Sequence, residues 1–510
     1  MLSPKISIKL SIFFTGFAGI VAEYLLSTLA SYLLGDSIFQ WTMTISIMLL
    51  AMGVGARFSK YIKDPMLFNA LIYTEISISL LVSFSVYIAY LQAPYESRMT
   101  YTIYSLCFLI GFLIGLEIPL AVRINELFEE LKENISTILE KDYLGALPGG
   151  ILYGYFFLPK LGLLYTPVLV GSLNLMVAGL LLFSFPKRVK KHMIFLYLGT
   201  ICCIAFFTFF AKPIYLYLEQ RFYRDPIVEI KQTKYQKIVI TKWRNDYLLY
   251  LDGHLQLNTV DEKRYHETIV HIPMSLVNAQ NILVIGGGDG CVVRELLKYP
   301  YVKNIFLVDL DKEFVNFSMQ NKIMRKINQN SLLNKKVKLF FQDGFNFVKD
   351  FKKNIKSDID LVIVDLPDPR NIRSSRLYSL EFYKIIYRVL SENGVIITQA
   401  TTPFFAKKAF CCILNTIKSA HFYAYPLIIN VPSFGEWGFV IGLKSFLSKS
   451  SVQKSVYRNL NENYTKFLTK GLAASFFETP KDLVCNGVKI NTLVNPVILK
   501  YYDDSFWDLL

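Results

Sequence analysis

Residues 281–311, NILVIGGGDGCVVRELLKYPYVKNIFLVDLD, decide the fold of the C-terminal half. The apolar run Ile282 to Ile285 reads as a β-strand. A glycine-rich turn follows, Gly286-Gly287-Gly288-Asp289-Gly290, where the backbone can approach a ligand because no Cβ intrudes. Val292, Val293, Leu296 and Leu297 give the next stretch a helical apolar face. A second apolar run, Ile305 to Val308, ends in Asp309. This is one βαβ unit with a nucleotide-binding turn and an acidic residue about 20 positions on, placed to accept both ribose hydroxyl protons. Cys291 stands where the third glycine of a dinucleotide fingerprint would fall, and Asp289 lies inside the loop. Both disfavour a pyrophosphate. An acidic loop suits a cationic, adenosine-bearing ligand such as a sulfonium.

The surrounding chain has 510 residues, 53% of them hydrophobic, too apolar for an ordinary soluble protein. The excess lies in the first 211 residues. The formal net charge is +15, which a basic surface beside anionic lipid explains better than nucleic acid does, and no nucleic-acid motif is present. Seven cysteines show no CxxC or Cys/His ligand spacing. They read as small hydrophobes in a reducing compartment, with no disulfide frame and no metal site.

Seven apolar segments stand at roughly 8–34, 38–58, 67–92, 101–122, 143–163, 164–185 and 193–211, most reaching the ~20 residues that cross a bilayer. The first reads as an uncleaved span, too long for a signal peptide and without a small-residue cleavage site. The fifth is rich in Gly and Pro and reads as broken or re-entrant. Lys5, Lys9, Arg57, Lys60, Lys63, Arg123, Lys132, Lys141 and Lys187 to Lys191 crowd alternate loops, which puts the N-terminus in the cytoplasm. Seven spans would then place the C-terminal half outside. A donor made in the cytosol places it inside, and the latter is the expectation here, with one span miscounted. Glu23, Glu75 and Glu117 lie within spans. Such carboxylates are functional candidates, pairing with helix neighbours being the plainer reading.

Between 212 and 280 short strands are expected, IVEIKQT, QKIVITKW, YLLYLDG and HLQLN, with a hairpin turn at Asp252-Gly253. A helix, DEKRYHETIVHIPMSLV, follows with an acidic first turn. The strings QTKYQKIVI, LDGHLQLN, DEKRYHE, ILVIGGGDGCVVREL and LVDLD occur in this order. FQDGFNFV, DLVIVDLPDP, LYSLEFY, IITQATTP and FGEWGF come after them. Together, over about residues 225–445, they resemble the spermidine synthase (polyamine aminopropyltransferase) family, in its membrane-anchored branch.

The resemblance implies transfer of an aminopropyl group from decarboxylated S-adenosylmethionine, a co-substrate rather than a tightly bound cofactor, to a putrescine-like amine. It assigns Asp365 as the base and Asp368 to the amine. Two nearby carboxylates at a strand mouth fit that chemistry on physical grounds too, since their repulsion raises one pKa. By the same resemblance Asp309 takes the ribose, Asp343-Gly344 the adenine, and Asp289 the aminopropyl ammonium beside Gly286 and Gly288. Gln236 lies at the donor's edge, and Tyr265 and His266 wall the amine tunnel. Two departures bear on the amine, one at Gln399 to Thr402 and one at Phe434, Glu436 and Trp437, where the family usually has a tyrosine. Gln399 to Thr402 replace an acid that many relatives carry, and Glu436 is a candidate substitute.

The expected architecture is an N-terminal α-helical transmembrane bundle (1–211) and a small antiparallel β-sheet (212–265). A doubly wound, methyltransferase-like α/β domain of Rossmann type (266–445) and a C-terminal extension (446–510) follow. The extension is a candidate cover or homodimer contact. Rival readings are a methyltransferase using S-adenosylmethionine itself, and a membrane polyamine transporter or sensor.

Overall fold

The computed structural model describes residues 4–35, 37–92, 95–351 and 358–505. They form two compact units, Met1–Pro226 and Ile227–Leu510.

Unit 1 is helical: α1 Pro4–Leu34, α2 Ser37–Phe58, α3 Leu67–Leu91, α4 Glu96–Asn125, α5 Leu131–Leu152, α6 Gly162–Ser184, α7 His192–Phe209 and α8 Ala211–Gln220. Six helical stretches are long and apolar enough to cross a membrane. One of them, Leu131–Ser184, has 54 residues and would run about 80 Å if straight. It does not run straight. A Cβ on Gly145 would lie 1.9 Å from the Phe13 carbonyl oxygen, so α5 meets α1 backbone to backbone there. Further along, the Tyr153 hydroxyl donates to the Tyr24 carbonyl. Yet the Ser184 hydroxyl donates to Ser7, back near the start of α1. The stretch therefore climbs along α1 and returns. The reversal falls at Gly162, whose φ of 63° and ψ of −168° no helix permits, just after a π-type turn carrying Pro159. Counting its two arms separately gives seven helical passes among the described residues.

The basic loops gather at one end. Lys5 and Lys9 both pair with Glu129, and Arg123 pairs with Asp64 and donates to the carbonyls of Ser59 and Ile62. At the other end α8 packs on α3, with Tyr215 5.7 Å from Tyr90 and Arg221 donating to the Leu91 carbonyl. That packing moves the boundary from the expected 211 to 226.

Unit 2 opens with a four-stranded antiparallel sheet, β1 Ile227–Gln232, β2 Lys237–Trp243, β3 Asp246–Leu251 and β4 His254–Asn258, with Asp252 and Gly253 both left-handed at the hairpin. Helix α9, Glu262–Met274, leads into the seven-stranded sheet. In chain order its strands and first helices are β5 Asn281–Gly286, α10 Cys291–Leu296, β6 Asn304–Asp309, α11 Lys312–Gln320, α12 Lys322–Asn328, β7 Val337–Phe341, α13 Gly344–Lys349, β8 Ile359–Asp365, β9 Leu390–Gln399, β10 Tyr423–Val431 and β11 Gly435–Leu443. The strand order is β10-β11-β9-β8-β5-β6-β7. β7 to β9 pair in parallel through β5, while β10 and β11 close the edge antiparallel. Ile282 and Val284 pack into the core on one face and Leu283 and Ile285 into that on the other, as a strand covered on both sides requires.

The extension wraps this domain. Glu267 on α9, fully buried, accepts from the N–H groups of Lys466, Phe467 and Leu468. Helix Val497–Asp503 packs on helix Lys407–Ser419. One expectation is overturned: Cys411 and Cys485 form a disulfide across 74 residues of sequence. The returning extension brings Cys485 onto the helix bearing Cys411, an encounter that residue spacing does not encode. The aromatic end of the extension, YYDDSFW, is described only as far as Ser505, and Phe506 and Trp507 lie outside the described residues.

Candidate active site

β5 and β8 are adjacent and in register, Gly286 opposite Asp365, so the glycine turn and the Asp365 mouth arise at the same edge of the sheet. The approach is close. A Cβ on Gly286 (φ +83°) would lie 2.0 Å from the Asp365 carbonyl oxygen, and Gly287 N–H donates to that oxygen at 3.0 Å. The Tyr265 hydroxyl, reaching from α9, donates to Asp365 Oδ1 at 2.7 Å. Ligating atoms of Asp365, Asp289 and His266 all lie within 4.8 Å of one another. Burial, then the charge of Asp289, pushes the Asp365 carboxyl up to about 6, against the pull of His266 and the Tyr265 hydroxyl. Four residues expected at the site thus meet: Tyr265, His266, Asp289 and Asp365.

His266 is held from behind. Its Nδ1 meets Glu262 Oε2 at 2.7 Å, and Arg294 donates to the same oxygen at 2.8 Å. Burial opposes the imidazolium, yet Glu262 outweighs it and raises His266 above its ordinary value. Glu262 itself is held down at about 2, burial being overcome by His266 and Arg294. Arg294 continues to Glu295, which also takes His271. Glu262, His266 and Cys291 are close enough together to hold an ion, as are His266, Asp289 and Asp365. In the first set Glu262 and the imidazole Nδ1 are already spent on each other and on Arg294. The second keeps its acceptors turned to one place, an arrangement suited to an ammonium group.

The donor-side residues lie along the ends of β5, β6 and β7. Asp309 accepts from the N–H groups of Asp311, at 2.8 Å, and Gly288. Burial pushes it up to about 7 despite these donors. A Cβ on Gly288 would lie 2.5 Å from Asp309 Oδ2, so only glycine fits there. Gln236 does not reach Asp309. It donates to Asp311 Oδ2 at 3.1 Å, beside Thr233 at 2.5 Å, while Asp311 Oδ1 caps α11. Asp311 thus ties the small sheet to the nucleotide loop. It ends the string LVDLD, in which only Asp309 stands out on sequence alone. Asp343 caps α13, whose first residue is Gly344, and meets Arg376 at 3.2 Å.

Asp368 is 9% exposed and heavily held. It accepts from Gln399 and Thr401 at 3.3 Å each and from Tyr502 at 2.9 Å, with Arg370 3.9 Å away. Burial raises its carboxyl above the ordinary value, against Arg370 and these hydrogen bonds. Gln399 also donates to the Leu366 carbonyl and the Tyr378 hydroxyl and accepts from Thr401 N–H. Its amide clamps Asp368 instead of facing an amine. Thr401 is held at φ +59°, a conformation a threonine rarely takes, with its carbonyl accepting from Gly438 N–H and its own N–H donating to Gln399. Glu436 alternates to the face of β11 opposite Phe439, the residue that packs on Tyr265 at 5.0 Å. It lines a groove with Asn430, Glu478 and Pro480. Tyr502 belongs to an aromatic segment of the extension, but lying 134 positions from Asp368 it carries no signal of that partner.

Of the acids expected in unit 1, Glu75 is fully buried and Glu117 is 4% exposed, while Glu23 is only half-buried.

Residues 262–454 match the Spermine/spermidine synthase domain family. Over 502 residues the chain is 51% identical to Polyamine aminopropyltransferase 2 of Aquifex aeolicus (strain VF5), covering 98% of this chain and 99% of that protein. It is 37% identical over 504 residues to Polyamine aminopropyltransferase of Leptospira interrogans serogroup Icterohaemorrhagiae serovar copenhageni (strain Fiocruz L1-130), covering 98% of each. Among solved structures, spermidine synthase in complex with the transition-state analogue AdoDATO matches with a TM-score of 0.44 at 24% identity, over 50% of this chain and 85% of that one.

Proposed function

The chain belongs to the polyamine aminopropyltransferase family, and from that premise we propose that unit 2 transfers an aminopropyl group from decarboxylated S-adenosylmethionine to putrescine or a related diamine, with Asp365 as base. The amine nitrogen attacks the methylene beside the sulfonium, the carbon–sulfur bond breaks, and methylthioadenosine leaves with the electron pair. The proton lost from nitrogen goes to Asp365. A free amine has a pKa of about 10.4 and arrives protonated, so taking that proton while holding nitrogen in line is the enzyme's task.

The observation that carries this reading is the Tyr265–Asp365 hydrogen bond at 2.7 Å, with His266 and Asp289 alongside. Tyr265 fixes the carboxylate, and Asp368 holds the distal ammonium. Asp289 and the turn Gly286 to Gly288 take the aminopropyl end of the donor, Asp309 its ribose and Asp343-Gly344 its adenine, with Gln236 positioned through Asp311. No tightly bound cofactor is required. The first unit lies in a lipid bilayer, and a homodimer through unit 2 is part of the same reading.

A product assay with both donors tests it. Decarboxylated S-adenosylmethionine and putrescine should yield spermidine and methylthioadenosine. Asp289→Asn should weaken the decarboxylated donor more than S-adenosylmethionine, because the acid welcomes an ammonium and repels a carboxylate. The reverse order would favour methyl transfer.

A further inference from the structure

Inside unit 1, Glu75 on α3 and Glu117 on α4 are close enough for their carboxyl groups to act directly on one another. Both carboxylate oxygens of Glu75 are fully buried, and neither has a hydrogen-bond donor. Among the described residues no ion pair includes either acid. Two facing acceptors with no donor require a proton or a cation between them.

The surroundings are polar where a packed apolar bundle has no need of it. Asp142, on α5, acts on Glu117, and its main chain lies where a Cβ on Gly16 of α1 would meet it at 2.3 Å. One turn along α3 from Glu75, the buried Ser79 hydroxyl has no partner. Across from it, Gly171 of α6 sits so close that a Cβ would lie 2.5 Å from the Ser79 carbonyl. Less than a turn further on α6, Asn174 is 2% exposed with its amide nitrogen unpaired. Four helices, α3 to α6, thus bring acids and unpartnered polar groups to one level of the bundle.

We propose that Glu75 and Glu117, with Asp142 and Asn174, form a second site that binds an ammonium group of an alkyl polyamine within the bundle. The choice of ligand rests on the transferase reading, since the same chain then makes and uses such cations. A polyamine supplies the donors that the Glu75 oxygens lack, offsets the charge of both acids, and places its methylene groups among apolar neighbours.

Equilibrium dialysis of radiolabelled spermidine against the purified full-length chain tests this. Wild type should bind two equivalents. The pair Glu75→Gln, Glu117→Gln should lose one and keep the wild-type transfer rate, while Glu75→Asp keeps both. Asp368→Asn should lose the other equivalent only. Two equivalents in the Gln pair, or none left in Asp368→Asn, overturns the proposal. Were the Gln pair to misfold, carbodiimide labelling of Glu75 and Glu117 in wild type, read by peptide mass spectrometry, decides it. Spermidine should protect both acids, and unprotected labelling overturns the site. Failure of the wild type to transfer would sink the transferase reading, yet the equivalent kept by Asp368→Asn would still read the bundle site.

Discussion

Asp365 takes a proton only when ionised, and burial holds its pKa up at about 6. Activity, followed as kcat/KM, should therefore fall as pH drops through about 6 and level off above it. Tyr265→Phe removes a donor that favours the ionised form, so the acidic limb should move to higher pH. A limb that stays in place would exclude Tyr265 as a tuner of Asp365. Asp365→Asn should lower kcat by ~10²–10⁴, the range of a positioned base, and leave methylthioadenosine binding by calorimetry intact. Gly288→Ala drives a methyl group toward Asp309, so the donor KM should rise and the amine KM should not. At this scale the sequence carries Asp309 and Asp365 plainly, because each ends an apolar strand. It hides Asp311 and Gln399, whose work appears only once the partners Gln236 and Asp368 are beside them.

The element that sequence describes least is the extension. Its sole local signals were scattered Lys and aromatic residues, while its use depends on where it lands. It lands on helix Lys407–Ser419, is fastened there by Cys411–Cys485, and delivers Tyr502 to Asp368. Tyr502→Phe should raise the KM for diamine and leave that for donor unchanged. Replacing Cys411 and Cys485 by Ser should cost about 2–4 kcal/mol, read as a lower Tm, with the same selective loss of amine affinity. An unchanged amine KM in both variants would reduce the extension to a structural wrap. The central parallel strands, by contrast, were legible, while the antiparallel edge pair Tyr423–Val431 and Gly435–Leu443 was not. Ile282 to Ile285, Ile305 to Val308 and Ile359 to Val364 are apolar on both faces, and only a covered parallel sheet uses such runs.

At the scale of the whole chain, every residue of the candidate site comes from unit 2, and that unit has its own core on both faces of its sheet. Residues 227–510 alone should fold, by circular dichroism, and transfer aminopropyl groups. An inactive but folded fragment would give unit 1 a part in catalysis. The division into two units was readable from composition, but its position was not, since α8 is too short and mixed to declare which unit it joins.

The turn at Gly162 has a consequence for the address of the enzyme. By sending the chain back it gives unit 1 an odd number of long apolar passes among the described residues, so if these cross a bilayer the N-terminus and residue 226 face different solvents, against the expectation that both lie inside. Had the same 54 residues made a single crossing, both would share one. Reporters placed ahead of Met1 and behind Leu510 should therefore light up on opposite sides of the bilayer. The parity of the whole protein, and with it the pool from which unit 2 draws its substrates, turns on one residue without a side chain.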